Sequence, residues 1–199
     1  MKANGFTRLV RGSILVATAC LLIGCATVEK RADLTYQRAT DVRGGSGEIY
    51  LAKPVIDVQF GRMPGRTVLG SVRNTGTQIV TTDDISDWIM GALSDELYHA
   101  GYEIRTVPTL PVDTSRGVLV WVKGLSADQA DKGLILTTST GMELSAEIWK
   151  DGGLSKTLTV KVGSQDEGMD RSGKPVTAAL QKTLQSAMTQ LLPGIVDAL

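Results

Sequence analysis

Few side chains in this sequence have the type and spacing that catalysis requires. There is one histidine, His99, which lies beside Tyr98 near the end of a predicted helix and suits the negative end of the helix dipole. A zinc site takes three or four ligands, and no second histidine is available to join His99. Ser155-Lys156 falls in a predicted hairpin without a supporting motif. The pattern therefore predicts no metal, no cofactor and no catalytic residue.

Adjacent carboxylates occur at three places, and paired acids can perform general acid–base chemistry. Glycosidase-type catalysis needs two carboxyl groups that face each other across a cleft, which neighbours on one helix or strand do not do. We therefore expect these pairs to cap helices or to lie on the solvated surface. Four aspartates in loops could bind calcium weakly, although the EF-hand spacing is absent. The pairs are Asp83-Asp84, Asp95-Glu96 and Asp166-Glu167, and the loop aspartates are Asp128, Asp131, Asp166 and Asp170.

One cysteine has the surroundings of a modification site. Leu22-Ile23-Gly24-Cys25 resembles the bacterial lipobox. The thiol of Cys25 can accept a diacylglycerol thioether, and Gly24, which has no side chain, fits a protease pocket at the cleavage point. Cleavage frees the amine of Cys25 for a further acyl chain such as palmitate. Two or three chains anchor a protein stably where one binds only marginally, so Cys25 is the predicted lipid-attachment residue.

Residues 1–24 have the organisation of a lipoprotein signal peptide. Lys2, Arg8 and Arg11 precede an apolar run of eleven residues from 13 to 23. That run suits a signal peptide and is shorter than the ~20 residues needed to span a bilayer. The alternative is a conventional signal cut at a small-residue site, either 17–19 or 24–26.

The residue that follows Cys25 indicates which of the two bacterial membranes holds the lipid anchor. In lipoproteins of enteric-type bacteria, Asp at this position favours the inner membrane, whereas this sequence has Ala26. We therefore expect the chain on the periplasmic face of the outer membrane. Because Cys20 would leave with the signal, the mature chain would hold no free thiol.

Composition restricts the remaining function classes. Lys+Arg and Asp+Glu both number 21, and 42% of residues are hydrophobic. This balance is typical of a single globular domain and gives no electrostatic reason to expect a nucleic-acid partner. Residues 25–47 are rich in charges and end in Gly44-Gly45-Ser46-Gly47, which predicts a lipidated, flexible tether. The folded periplasmic domain is expected to cover residues 48–199.

Two amphipathic helices are predicted within that domain. Apolar residues recur at helical spacing between an N-cap at Asp83-Asp84 and a C-cap at Gly101. The second helix is expected to begin at Pro175 and to end at Pro193-Gly194. Strand-like sequence begins at Glu48 and continues to Phe60 with an interruption at Pro54. Further strands are predicted at 67–73, 78–81, 102–107, 117–123, 134–138, 142–149 and 158–162, with a mobile loop at 165–174. This order predicts an α+β fold in which two amphipathic helices pack on one face of a mostly antiparallel sheet.

The lipobox, the segment Gly70–Asn74 and the step Ala100-Gly101-Tyr102 at the end of the first helix together resemble the YajG-type bacterial lipoproteins. The resemblance covers about residues 48–199. It implies an outer-membrane lipoprotein with an α/β fold, and it implies no activity and no catalytic residue.

The sequence leaves two functions open, and a third, an enzyme of unrecognised type, is not expected. The first is a non-enzymatic, membrane-anchored periplasmic lipoprotein that serves as an accessory subunit of a cell-envelope assembly and binds an envelope protein. The second is a module that binds lipid or glycan between the sheet and the helices. Trp149 either anchors a partner from an exposed face or packs across its strand pair, whereas Trp88 is expected in the core. Arg73-Asn74 is expected to form a turn or, alternatively, a contact site.

Overall fold

A computed structural model describes residues 29–199. The predicted signal peptide and Cys25 lie outside this range. In the described part, no helix is both long and apolar enough to cross a membrane. The helices are α1 (Ile85–Ala100) and α2 (Lys174–Ala198), and the strands are β1 (Glu29–Arg31), β2 (Glu48–Ala52), β3 (Val55–Ile56), β4 (Gly61–Met63), β5 (Arg66–Arg73), β6 (Gln78–Thr81), β7 (Glu103–Val107), β8 (Arg116–Asp131), β9 (Leu136–Lys150) and β10 (Gly153–Gly168).

The strands form one curled, mixed sheet built around β8. One edge of β8 pairs antiparallel with β9 along its full length, and β9 pairs antiparallel with β10. The other edge of β8 pairs in succession with β2, β3 and β5, all of them parallel to it. The α+β class with two helices agrees with the prediction, but the expected mostly antiparallel sheet is wrong.

The length of β8 explains the mixed pairing. With 16 residues, β8 offers an edge that three short strands can share. The helix α1 lies between β2 and β7 in the chain, and these two strands pair parallel, as strands joined by a helical crossover do. Antiparallel pairing is kept where the connection is a tight turn, as between β5 and β6.

Helix α1 begins and ends where its capping residues predict. A side-chain oxygen of Asp84 accepts a hydrogen bond from the backbone N–H of Asp87 at 3.0 Å. Gly101 adopts a left-handed conformation, with φ of 115°, and its N–H bonds back to the last turn. Trp88 is buried on the apolar face, as predicted.

Helix α2 is longer than predicted. It passes through Pro193 and ends at Ala198, so the predicted stop at Pro193-Gly194 is wrong. A proline in a helix interior removes one backbone hydrogen bond. Close packing on the sheet offsets this loss, because a Cβ at Gly194 would lie only 2.8 Å from Leu158 of β10.

The three long strands β8, β9 and β10 extend the predicted ones. The predicted strands 134–138 and 142–149 form the single strand β9, and β10 continues to Gly168. The mobile loop predicted at 165–174 is therefore wrong over its first part.

The inward-facing side chains of these strands and the apolar faces of both helices form one core, whose fully buried side chains include Leu144, Ile148, Leu184 and Met188.

Residues 32–47 form an extended strap across the helices. The strap begins after β1, which pairs parallel with β6, and it ends where the N–H of Glu103 donates to the carbonyl oxygen of Gly47 at 3.0 Å. Gly45 is pressed against Tyr102, since a Cβ at Gly45 would lie 2.5 Å from the ring. Residues 29–47 thus differ from the expected flexible tether, because β1 pairs with β6 and the strap contacts both helices. The domain boundary at residue 47 stays a prediction.

Candidate functional site

The strap is held by a buried carboxylate on α1. Glu96 is 1% exposed. Its carboxylate accepts hydrogen bonds from the backbone N–H of Ala39 at 2.7 Å, from the hydroxyl of Thr40 at 2.6 Å and from the hydroxyl of Tyr36. Because these donors already occupy the carboxylate, Glu96 is built to bind the strap and not a substrate.

Burial and hydrogen bonding have opposite effects on this group. Burial raises the pKa of Glu96, but the bonds from Ala39, Thr40 and Tyr36 favour the ionised form more strongly, so the pKa lies below its usual value. Burial, together with the bond to Glu96, raises the pKa of the Tyr36 phenol. The hydrogen bond between Tyr36 and Glu96 therefore joins a neutral phenol to an ionised carboxylate, and the proton stays on Tyr36 across the physiological pH range.

The predicted surface position of Asp95-Glu96 is right for Asp95 and wrong for Glu96. The sequence carried a signal for this. Glu96 lies three and four residues after Leu93 and Ala92 and four before Ala100, which places it on the buried stripe of α1.

His99 lies in a cationic setting. Its Nδ1 is 2.6 Å from the guanidinium of Arg38, and its backbone oxygen accepts a hydrogen bond from Arg43. Both arginines come from the strap. The guanidinium beside the imidazole disfavours the binding of a cation at Nδ1, and the described residues hold no cluster of His, Cys, Asp or Glu that could bind a metal.

The remaining carboxylates act as structural acceptors. Asp83 accepts the backbone N–H of Leu34 at 2.7 Å, which joins the strap to the start of α1. Asp166 pairs with Lys182 of α2 at 3.0 Å. The hydrogen bond from Arg171 lowers the pKa of Asp131. The loop position predicted for four aspartates is wrong for three of them, because Asp128 and Asp131 lie in β8 and Asp166 lies in β10. They do not form a common site, since Asp128 accepts from the N–H of Ser71 and Asp170 from that of Ser172.

The tryptophans lie on both sides of the sheet. The indole N–H of Trp88 donates to the carbonyl oxygen of Thr35 in the strap at 2.8 Å. Trp121 and Trp149 are half-buried on the outer face, opposite the helices, and the ammonium group of Lys123 lies 4.9 Å from the Trp121 ring centre. Asn74 has a φ of 68° in the turn between β5 and β6, which agrees with a turn role.

An open groove lies beside the first turn of α1. Its volume is about 470 Å³. Apolar side chains from the segment after β3 form one wall, and the polar start of α1 forms the other. The lining includes Ile56, Val58, Phe60, Arg62, Asp83 and Ser86. The space between the helices and the sheet, where the sequence placed a ligand, is instead filled by fully buried side chains such as Leu144 and Leu180.

The free edge of β10 is the longest unpaired strand edge in the described part of the chain. Within residues 29–199, β10 pairs only with β9, so its second edge has no strand partner over 16 residues. Leu158, Val160 and Val162 of β10 pack against the core, while Thr157 and Thr159 are exposed. An unpaired edge presents a row of N–H and C=O groups that can bond another strand. Sequence reasoning predicted a shorter strand here and missed the length of this edge.

Comparison with known proteins defines the fold. No protein-family model and no curated protein matches the sequence. Protein XCC0632 from Xanthomonas campestris, of the DUF330 family, shares 14% identity over 86% of this chain and 96% of its own, with a TM-score of 0.58. This likeness shows a shared fold. The resemblance to YajG-type lipoproteins stays a prediction.

Two further solved structures are more distant. Lipoprotein GNA1162 from Neisseria meningitidis has 11% identity and a TM-score of 0.39, covering 74% of this chain and 99% of its own. A protein described as a homologue of a neuraminyllactose-binding hemagglutinin from Helicobacter pylori has 9% identity and a TM-score of 0.41, covering 80% of this chain and 91% of its own. None of the three is described as an enzyme.

Proposed function

We propose that this chain is a non-enzymatic lipoprotein of the bacterial cell envelope that binds a protein partner as an accessory subunit. Acyl chains on Cys25 anchor it, and Ala26 directs it to the periplasmic face of the outer membrane. The signal-like residues 1–24 and the lipobox support the anchor. Contacts in the described part support a non-catalytic role for Glu96 and His99, because both side chains are held by the strap.

The free edge of β10 is the observation that carries the partner-binding role. Natural sheets usually protect such an edge with charges. On β10 the charged side chains are Lys156, Lys161, Asp166 and Glu167, which leaves two uncharged windows of four residues, Thr157–Val160 and Val162–Gln165. The first holds the two exposed threonines and is the window proposed for the partner. An extended segment of the partner can pair with this window and continue the sheet beside α2.

A crosslinking experiment in intact cells tests this proposal. A photo-activatable amino acid replaces Thr157 on the β10 edge, and a matched variant carries it at Gln190, which is exposed on α2. We expect a stoichiometric protein adduct from position 157 and none from position 190. Equal labelling at both positions, or no protein adduct at 157, would contradict the partner-binding edge.

The second candidate is a lipid- or glycan-binding module. The groove beside α1 favours it, because an apolar wall of Val58 and Phe60 faces polar groups that include Arg62. Native mass spectrometry of the delipidated, purified protein tests this role. A bound lipid or sugar that Phe60→Ala removes would support it, and protein that carries no ligand would contradict it.

A further inference from the structure

We propose that the end of the molecule formed by Lys132–Ile135 and Met169, here called the hairpin tip, inserts its apolar side chains into the membrane that holds the chain's own acyl anchor. This inference rests on the lipid anchor proposed at Cys25. It adds a second membrane contact, a fixed orientation of the body and a set of residues that make the contact.

The hairpin tip exposes large apolar side chains. Leu134 is 85% exposed, Met169 is 78% exposed and Ile135 is 45% exposed. The β9–β10 register pairs Leu136 with Gly168, so Ile135 and Met169 adjoin that pair on neighbouring strands. Exposed apolar residues scattered singly are common, but here three lie together at one extremity of the fold.

Polar contacts behind the tip hold it in place. Arg171 binds the carboxylate of Asp131 and the carbonyl oxygen of Gly133. Lys132 lies 3.7 Å from Glu167, and its N–H donates to the carbonyl oxygen of Ile135 at 2.9 Å. The polar groups are thus used within the protein, whereas Leu134 and Met169 are left to solvent.

The anchored end of the chain emerges at the same side of the molecule. Strand β1 runs parallel to β6, β6 runs antiparallel to β5, and β5 runs parallel to β8. The start of β1 therefore points in the direction in which β8 runs, which is toward the hairpin tip. Lys30 donates to the side-chain oxygen of Gln129 at 2.5 Å, and Glu29 and Asp131 line one groove of about 410 Å³.

The length of the connection limits where the anchor can lie. Cys25 precedes Glu29 by four residues. At about 3.3–3.6 Å per residue, four residues reach at most about 14 Å. Because the strap is bound to the helices and supplies no further slack, the membrane surface must lie close to this end of the sheet. The opposite end of β8 then lies roughly 50 Å farther from the bilayer, because each of its 16 residues adds about 3.3 Å to the length of the strand.

The charges at the tip indicate how it contacts the membrane. Lys132 and Arg171 are balanced by Glu167 and Asp131 with which they pair. A balanced surface gives little attraction to anionic lipids, so apolar insertion drives the contact. We therefore expect the same insertion into neutral and anionic bilayers.

Single-site fluorescence labelling tests the proposal on the lipidated protein reconstituted in phosphatidylcholine liposomes. The thiol of Leu134→Cys carries an environment-sensitive dye, and Met169→Cys serves as a second variant. The matched control is Val112→Cys, because Val112 is 96% exposed and lies in the loop before β8, at the opposite end of that strand. The chain's two cysteines are Cys20, which leaves with the signal, and Cys25, whose sulfur is acylated.

We expect the dye fluorescence at positions 134 and 169 to shift to the blue relative to position 112. Brominated lipid should quench it at least about twofold more strongly than at 112, because inserted side chains reach about 5–10 Å into the bilayer. A dye at 134 and 169 that aqueous iodide quenches as strongly as at 112 would overturn the insertion and leave the anchor intact. Thiol labelling of the unsubstituted protein, or its failure to float with liposomes, would instead overturn the anchor.

Discussion

The hydroxyl of Thr40 donates a hydrogen bond to the carboxylate of Glu96 over 2.6 Å, although 56 positions separate the two residues. This bond joins the strap to the buried face of α1. The adjacent N–H of Ala39 bonds the other carboxylate oxygen at 2.7 Å. The segment that leads to the predicted anchor is therefore fixed on the folded body through Glu96.

Substitution of Glu96 by Gln should destabilise the protein. The amide presents an NH₂ group where the strap also presents donors, so at least one buried donor loses its partner. Such a loss costs about 1–3 kcal/mol. Urea unfolding at pH 7 measures this change. The matched control is Asp95→Asn, which alters an exposed neighbour and should leave the unfolding midpoint unchanged. Equal midpoints for Glu96→Gln and the wild type would show that the carboxylate does not hold the strap.

The stabilisation by Glu96 should disappear in acid. The folded pKa of Glu96 lies below its unfolded value, which is about 4.3. Its contribution is therefore fully present above the unfolded pKa and is lost as the pH falls through the folded pKa. The difference in free energy of unfolding between wild type and Glu96→Gln, measured from pH 7 downward, should shrink below about pH 4. A difference that stays constant to lower pH would contradict this assignment.

Gly173→Ala should loosen the N-terminal segment. A Cβ at Gly173 would lie 1.7 Å from the backbone oxygen of Arg31, so backbone must move. Overpacking of this kind costs about 1–3 kcal/mol. We expect a lower melting temperature and faster proteolysis within residues 32–47. In the matched variant Gly91→Ala, the new Cβ meets no atom within 4 Å, and the helix should gain up to about 1 kcal/mol. The same proteolysis rate in both variants would contradict the close approach of Gly173 to Arg31.

Local signals in the sequence were sufficient for α1 but not for the end of α2 or for the pairing of the sheet. The cap at Asp84, the cap at Gly101 and the apolar spacing between them define α1 without any distant contact. The parallel pairing of β2, β3 and β5 with β8 could not be predicted in the same way, because it depends on strands far apart in the chain. The continuation of α2 through Pro193 likewise depends on β10.

The strap shows how composition can mislead. Gly44-Gly45-Ser46-Gly47 has the composition of a linker, yet Gly45 is needed where the chain presses against Tyr102. The polar residues of the strap find their partner in Glu96, which belongs to another element. Of the candidate sites, the lipid attachment at Cys25 can be predicted from neighbouring residues alone. The edge of β10 and the hairpin tip can be identified only once the strand register is known.

The anchor at Cys25 is tested most directly by the mass of the N-terminus of the protein extracted from membranes. We expect a mature chain that begins at Cys25 and carries a diacylglyceryl group on sulfur, with a further acyl chain on the amine. The Cys25→Ala variant should lack this mass and leave the membrane fraction. A chain that begins at another residue, or an unmodified Cys25 in membrane-bound protein, would contradict lipidation at Cys25.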